Sequence, residues 1–209
     1  MKESVNDFSK VTAILRGYDK QQVFSVMDAL VGSSIRAVEI TLNREDSKEI
    51  IAKAVKKYGD LLSVGAGTVL SKEDLEDVVH IGVDFVLAPN LFTKEMLQYC
   101  KAHNVISVPG AFSPTEIHQA FSDGADIVKV FPASRIGSAY FKDIKAPFGD
   151  LPLMAVGGIN GSNIREYLMA GARFVGIASG LFKHEDILQK DIQSLKQSIR
   201  KFESQMEGV

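Results

Sequence analysis

Short apolar runs alternate with helix-spaced apolar positions along the chain. The runs Val11–Leu15, Ala37–Thr41, Leu62–Ala66, Phe85–Ala88, Val105–Val108, Ile127–Phe131, Leu153–Val156 and Phe174–Ala178 read as eight strands. Helical patterns lie between them, over Lys20–Val31, Ser47–Tyr58, Lys72–His80, Lys94–His103, Pro114–Ser122, Ser138–Lys145 and Asn163–Ala170. Glycine punctuates returns to a strand, as in Ser122-Asp123-Gly124-Ala125 and Met169-Ala170-Gly171-Ala172, where a left-handed helix cap suits it. The last segment, Ile187 to Met206, repeats Leu188, Ile192, Leu195, Ile199, Phe202 and Met206 at spacings of four and three. That stripe predicts a final helix packed on the wall. Val5 and Phe8 in the polar start predict a short element across the lower end of the fold.

Regular strand–helix alternation implies βαβ units and a parallel sheet. Eight units in 209 residues predict one (β/α)8 TIM barrel over residues 1–209, shorter than the roughly 250 residues typical of that fold. An open doubly wound sheet would carry a dinucleotide fingerprint. Gly65-Ala66-Gly67 is followed by Thr68-Val69-Leu70, so the third glycine is missing. No Pro/Gly/Ser linker divides the chain.

Composition narrows the function. A net charge of −2 leaves no electrostatic footprint for nucleic acid or an anionic membrane. No apolar stretch approaches the about 18 residues of a membrane span, and MKESVNDFSK has no apolar signal core. The single cysteine, Cys100, forms no intramolecular disulfide and fits a reducing compartment. The expectation is a cytoplasmic protein.

Three strands carry charges where an apolar residue is the norm. Lys129 sits in the middle of Ile127-Val128-Lys129-Val130-Phe131-Pro132, Glu39 inside Ala37-Val38-Glu39-Ile40-Thr41, and Arg16 at the end of the first strand. Burial disfavours a charged lysine, and a partly neutral amine attacks carbonyl carbon to form a Schiff base. Each charge alone has a plain structural alternative, in a snorkelling lysine, a solvent-facing arginine or a structurally paired glutamate. Together, pointing inward, they describe one cavity with a nucleophile, a general acid/base and a fork for a carboxylate. On the far side, Val156-Gly157-Gly158-Ile159-Asn160-Gly161 and Ile177-Ala178-Ser179-Gly180 end the seventh and eighth strands. Loops there frequently bind phosphate through backbone N–H groups. His80, His103, His118 and His184 have no ligand spacing, so no metal is expected.

These residues, in this order, resemble the 2-keto-3-deoxy-6-phosphogluconate (KDPG) / 4-hydroxy-2-oxoglutarate (KHG) aldolase family of class I aldolases. The likeness is carried by Ile14-Leu15-Arg16-Gly17, Val38-Glu39-Ile40-Thr41-Leu42, Gly65-Ala66-Gly67-Thr68-Val69, Pro109-Gly110, Lys129-Val130-Phe131-Pro132 and Val156-Gly157-Gly158-Ile159. It implies a homotrimer of barrels that cleaves KDPG to pyruvate and glyceraldehyde 3-phosphate, with KHG as a further substrate and no cofactor beyond the lysine itself. Lys129 would be the Schiff-base lysine and Glu39 the general base. Thr68, Pro89 and Phe131, with Arg16, would hold the pyruvate moiety, and Gly157, Gly158 and Ser179 the phosphate. Asn43 stands where gluconate-type members often have an arginine, and Val156 where they often have threonine. Val-Gly-Gly, the Ile-Leu-Arg-Gly start, and the Leu-Asn and Pro-Asn after the second and fourth strands resemble the branch that cleaves the C4 epimer, 2-keto-3-deoxy-6-phosphogalactonate. That epimer is the alternative substrate. A barrel that binds phosphosugar acids without catalysis is the alternative of another class.

Overall fold

The computed structural model describes residues 4–208. The elements run β1 (Val11–Leu15), α1 (Lys20–Leu30), β2 (Ala37–Thr41), α2 (Ser47–Tyr58), β3 (Ser63–Gly67), α3 (Lys72–Ile81), β4 (Phe85–Leu87), α4 (Lys94–Ala102), β5 (Ile106–Val108) and β6 (Gly110–Ala111). Then follow α5 (Pro114–Asp123), β7 (Val128–Val130), α6 (Ala133–Ile136), α7 (Ala139–Phe148), β8 (Leu153–Val156), α8 (Ile164–Ala170), β9 (Phe174–Ile177), α9 (His184–Leu188) and α10 (Ile192–Met206). All neighbouring strands pair in parallel, in the order β5-β4-β3-β2-β1-β9-β8-β7-β6.

The two edges of that sheet are one stretch of chain. Pro109 has no N–H and stands between the fifth predicted strand and a further short one, so β5 pairs with β4 while β6 pairs with β7. Carbonyls along that stretch close the ring. Ile127 N donates to Ser107 O at 3.1 Å and Lys129 N to Pro109 O at 2.9 Å. The result is a closed (β/α)8 barrel, as the alternation predicts.

Local chemistry explains the helix starts. Asp19 and Ser113 form reciprocal capping boxes with Gln22 and Glu116, while Ser71 and Thr93 cap α3 and α4 through their hydroxyls. Gly124 and Gly171 end α5 and α8 in the left-handed conformation, at φ 105° and 115°. Asp84 and Asp126 precede β4 and β7 and staple the lower rim. Their carboxylates accept Val64 N and Ser107 N, both at 2.9 Å.

Strand alternation sorts the side chains into two cores. Outward residues such as Val38, Val64, Val86 and Val175 pack under the helices. Inward residues, among them Ile14, Phe85, Ile106, Met154 and Phe174, fill the barrel. Phe8 closes the lower end, meeting Phe85 and Phe174 edge-on at ring-centroid distances of 5.1 and 5.5 Å. The element predicted there is a turn, held by Asp7 N and Phe8 N on Ser4 O at 3.0 Å each.

Several boundaries differ from the sequence expectation. The third strand is shifted to Ser63–Gly67, and the sixth shortens to Val128–Val130. The helix expected over Ser138–Lys145 runs over Ala139–Phe148, because Pro147 falls in its last turn and removes only one ladder bond there. The final stripe is two helices. Asp191 accepts from Gln193 N and Ser194 N at 3.1 Å and starts α10 afresh, so Leu188 is left exposed while Leu195, Ile199 and Phe202 are buried. Among the described residues no helix is long and apolar enough to cross a membrane.

Candidate active site

The strand register brings the predicted charges together. Ile14 lies level with Glu39, and Gly110 level with Lys129, so Arg16, Glu39 and Lys129 all project from the inner face toward the upper end of the barrel. Glu39 is 1% and Lys129 5% exposed, whereas Arg16 lies open at the mouth. Burial pushes the Glu39 carboxyl above its ordinary range, and the positive charges of Lys129 and Arg16 only partly offset that. Burial likewise pulls the Lys129 ammonium down, with the Glu39 carboxylate opposing and Arg16 assisting. Both groups are thus drawn toward their neutral forms, and each feels the other.

Glu39 is poorly satisfied for a buried acid. Its Oε2 has no hydrogen-bond partner among the described residues. The space for its carboxyl comes from Gly67, since a Cβ added there would collide with Oε1 and Cδ of Glu39. Gly67 was not an expected site residue. The signal was present in Gly65-Ala66-Gly67, which places two glycines on the inner face of the strand beside Glu39. Gly67→Ala is expected to displace the carboxyl. The overpacking costs about 1–3 kcal/mol of stability, and turnover falls more than Tm would suggest. Denaturant unfolding set against kcat checks this, and unchanged kcat would show that the carboxyl position is immaterial.

The other expected residues ring the mouth. Arg16 Nη2 donates to Thr68 Oγ1 at 3.2 Å. Thr68 adopts φ 59°, a left-handed conformation that strains a β-branched residue and that structures retain mainly at working sites. Phe131 is partly exposed, and the Lys129 Nζ lies 4.9 Å from its ring centroid, so the ring shields the amine from water. Pro89 is exposed at the end of β4, backed by Gly110, where a Cβ would strike its carbonyl. Asn43 is committed elsewhere, with Thr41 Oγ1 donating to its Oδ1. Arg44 turns outward to Asp46, at 2.8 and 3.0 Å. Arg16 therefore remains the arginine at the cavity.

On the opposite rim, Gly157 and Gly158 follow β8 with φ 99° and 76°, and Ser179 follows β9 in an exposed turn. Their carbonyls are tied back, Gly157 O to Ser134 N at 3.0 Å and Gly158 O to Asn163 Nδ2 at 2.9 Å. The N–H groups of Gly158 and Ser179 bond to no carbonyl among the described residues. Free donors with their carbonyls withdrawn suit an anion. Val156, 5% exposed, points inward beside this loop and offers no hydrogen bond. The four histidines are exposed, and among the described residues no group of three or more His, Cys, Asp or Glu could hold a metal ion.

Comparison with known proteins converges on one family. A family model for KDPG and KHG aldolase matches residues 3–198. The 2-dehydro-3-deoxy-6-phosphogalactonate aldolase of Escherichia coli K12 is 31% identical over 182 residues, covering 87% of this chain and 88% of that one. The 2-dehydro-3-deoxy-phosphogluconate aldolase of Treponema pallidum is 34% identical over 141 residues, covering 67% of this chain and 66% of that one. Among solved structures, KDPG aldolase from Legionella pneumophila, with pyruvate captured as a covalent carbinolamine, superposes with a TM-score of 0.84 at 25% identity, covering 93% of this chain and 94% of that one.

Proposed function

The chain belongs to the KDPG and KHG aldolase family, a family of lyases, and from that premise we propose that Lys129 is its Schiff-base nucleophile toward 2-keto-3-deoxy-6-phospho sugar acids. The observation that carries the proposal is the buried Lys129, drawn toward its neutral form beside a buried Glu39. The neutral Nζ attacks C2 of the keto acid. Glu39, whose burial favours the protonated form of its carboxyl, donates the proton that lets the carbinolamine lose water. The iminium that results is a fixed cation beside Glu39, which favours ionisation of the carboxyl just when a base is needed. Glu39 then takes the C4 hydroxyl proton, directly or through water. The C3–C4 electron pair passes to C3 as the enamine, and glyceraldehyde 3-phosphate departs. Protonation at C3 and addition of water release pyruvate and restore the amine. The lysine is the electron sink, and the route uses no metal.

Arg16 and Thr68 are the proposed carboxylate clamp, and Pro89 and Phe131 wall the pyruvate moiety. Gly157, Gly158 and Ser179 are proposed to take the phosphate, whose binding energy, remote from the bond broken, orients the reacting carbon. The homotrimer and cleavage of KHG belong to the same reading and rest on the family resemblance. The test is treatment with pyruvate and borohydride: one reduced adduct per chain, on Lys129, is expected. No adduct on any lysine would sink the aldolase mechanism and leave a binding barrel.

The choice of epimer turns on Val156. KDPG and 2-keto-3-deoxy-6-phosphogalactonate differ only at C4 and give the same products. An apolar wall at 156 offers the C4 hydroxyl no partner on that side, which favours the galactonate epimer. The wild type is expected to cleave that epimer at least as well as KDPG. Val156→Thr is expected to raise relative kcat/KM for KDPG several-fold, one hydrogen bond being worth about 0.5–1.5 kcal/mol net. A wild type strongly selective for KDPG, with a threonine variant of unchanged preference, would remove Val156 as the discriminator.

A further inference from the structure

We propose that Ser134, on the short helix α6 just beyond the Lys129 strand, is a further contact for the substrate's phosphate and helps set the preference for phosphorylated keto acids. The proposal rests on the aldolase reading and adds to it a residue outside the glycine loops. Ser134 is joined to the cradle at two points. Its N–H donates to Gly157 O at 3.0 Å, and a Cβ built on Gly158 would lie 2.5 Å from its Cβ and 2.6 Å from its Oγ. The serine side chain therefore lies against the open face of Gly158, in the space that any other residue at 158 would fill. Gly158 is required on both counts, by that contact and by its φ of 76°.

The hydroxyl is free to bind. Ser134 is exposed, and its Oγ makes no hydrogen bond among the described residues. By contrast Ser162 Oγ donates to Asn160 Oδ1 at 2.6 Å and Ser138 Oγ donates to Glu166. Beside it the Gly158 N–H is likewise without a carbonyl partner among the described residues, while the Gly157 and Gly158 carbonyls are turned to other donors. A hydroxyl and a backbone N–H on touching residues, neither with a carbonyl partner among the described residues, suit an anionic oxygen. Because α6 follows directly on β7, the strand that holds the keto carbon at Lys129 also delivers a donor toward the other end of the six-carbon chain. Phosphate contact and nucleophile are thereby set at a fixed separation by one segment of backbone.

The experiment compares Ser134→Ala and Ser134→Asp with the wild type on a 2-keto-3-deoxy-6-phospho sugar acid and on KHG, which has no phosphate. The ratio of kcat/KM, phosphorylated over unphosphorylated, is expected to fall roughly 10- to 100-fold for alanine, the worth of a lost hydrogen bond to a charged group. It should fall further for aspartate, whose charge repels phosphate. An unchanged ratio overturns the proposal, as does an equal loss on both substrates, which would mark a structural role. Titration of glyceraldehyde 3-phosphate by ³¹P NMR gives a reading independent of turnover. Binding by wild type that weakens in the aspartate variant supports the contact, and equal binding refutes it. Failure of the aldolase reading is separately visible as a wild type that gains no borohydride adduct with pyruvate.

Discussion

Lys129→Ala is expected to abolish borohydride trapping with pyruvate and to lower kcat by several orders of magnitude, because without the iminium nothing accepts the electrons of the C3–C4 bond. Among the described residues no second lysine is buried. Lys142 and Lys145 are exposed on α7, and Lys145 is ion-paired with Asp150, so neither shares the environment that lowers the Lys129 pKa. Lys129→Met separates chemistry from packing, since methionine fills the space of the lysine stem with an uncharged, flexible chain. The methionine variant is expected to be as inactive as the alanine one, with the barrel folded by circular dichroism. Trapping that persists in either variant, with the adduct mapped to another lysine, would refute the assignment of Lys129.

The sequence made Lys129, Glu39 and Arg16 legible for a simple reason. A charge inside a strand that is otherwise Val, Ile and Ala is costly, and two such strands, with an arginine at the end of a third, point to one cavity. The barrel itself was readable from the alternation of periods, and the lower-end plug from Phe8 standing in a polar stretch. Other features depend on what crosses between strands, which no single segment shows. Gly67 makes room for Glu39 through the β2–β3 register, and Pro109 separates two short strands that serve opposite neighbours. Ser134 meets Gly158 across a gap of 24 residues, in a helix too short to leave a periodic signal. The break between α9 and α10 was within reach, since Asp191 ahead of Gln193 and Ser194 is a readable helix start. The run of fours and threes through Leu188 masked it.

Glu39→Gln is expected to slow turnover by ~10²–10⁴, the usual effect of a lost general acid/base, while still permitting some imine trapping. Glutamine keeps the shape that Gly67 accommodates but can neither donate a carboxyl proton nor take one from the C4 hydroxyl. The same variant is expected to be more stable than the wild type, and the sign follows from the pKa directions. Burial raises the Glu39 pKa above 4.5, so the folded state holds its proton over a range where the unfolded state has released it. The resulting cost is absent below pH 4.5, grows as pH rises from there, and is complete once pH passes the folded pKa. The stability gain of the glutamine variant should therefore widen over that interval and then level off. Lys129 adds an alkaline window of its own. Its pKa lies below 10.5, so its cost is absent above that pH and grows as pH falls toward the folded value. Losing the Glu39 charge removes the attraction that props the ammonium up, which extends the Lys129 window to lower pH and offsets part of the glutamine variant's gain wherever Lys129 is charged. Urea unfolding of both proteins from pH 4 to 8 would decide the matter. A variant less stable at every pH would mean that the carboxylate holds the barrel together, and near-normal kcat would leave Glu39 a structural residue. A more stable and slower enzyme would show an acid kept in the barrel for chemistry at the expense of stability.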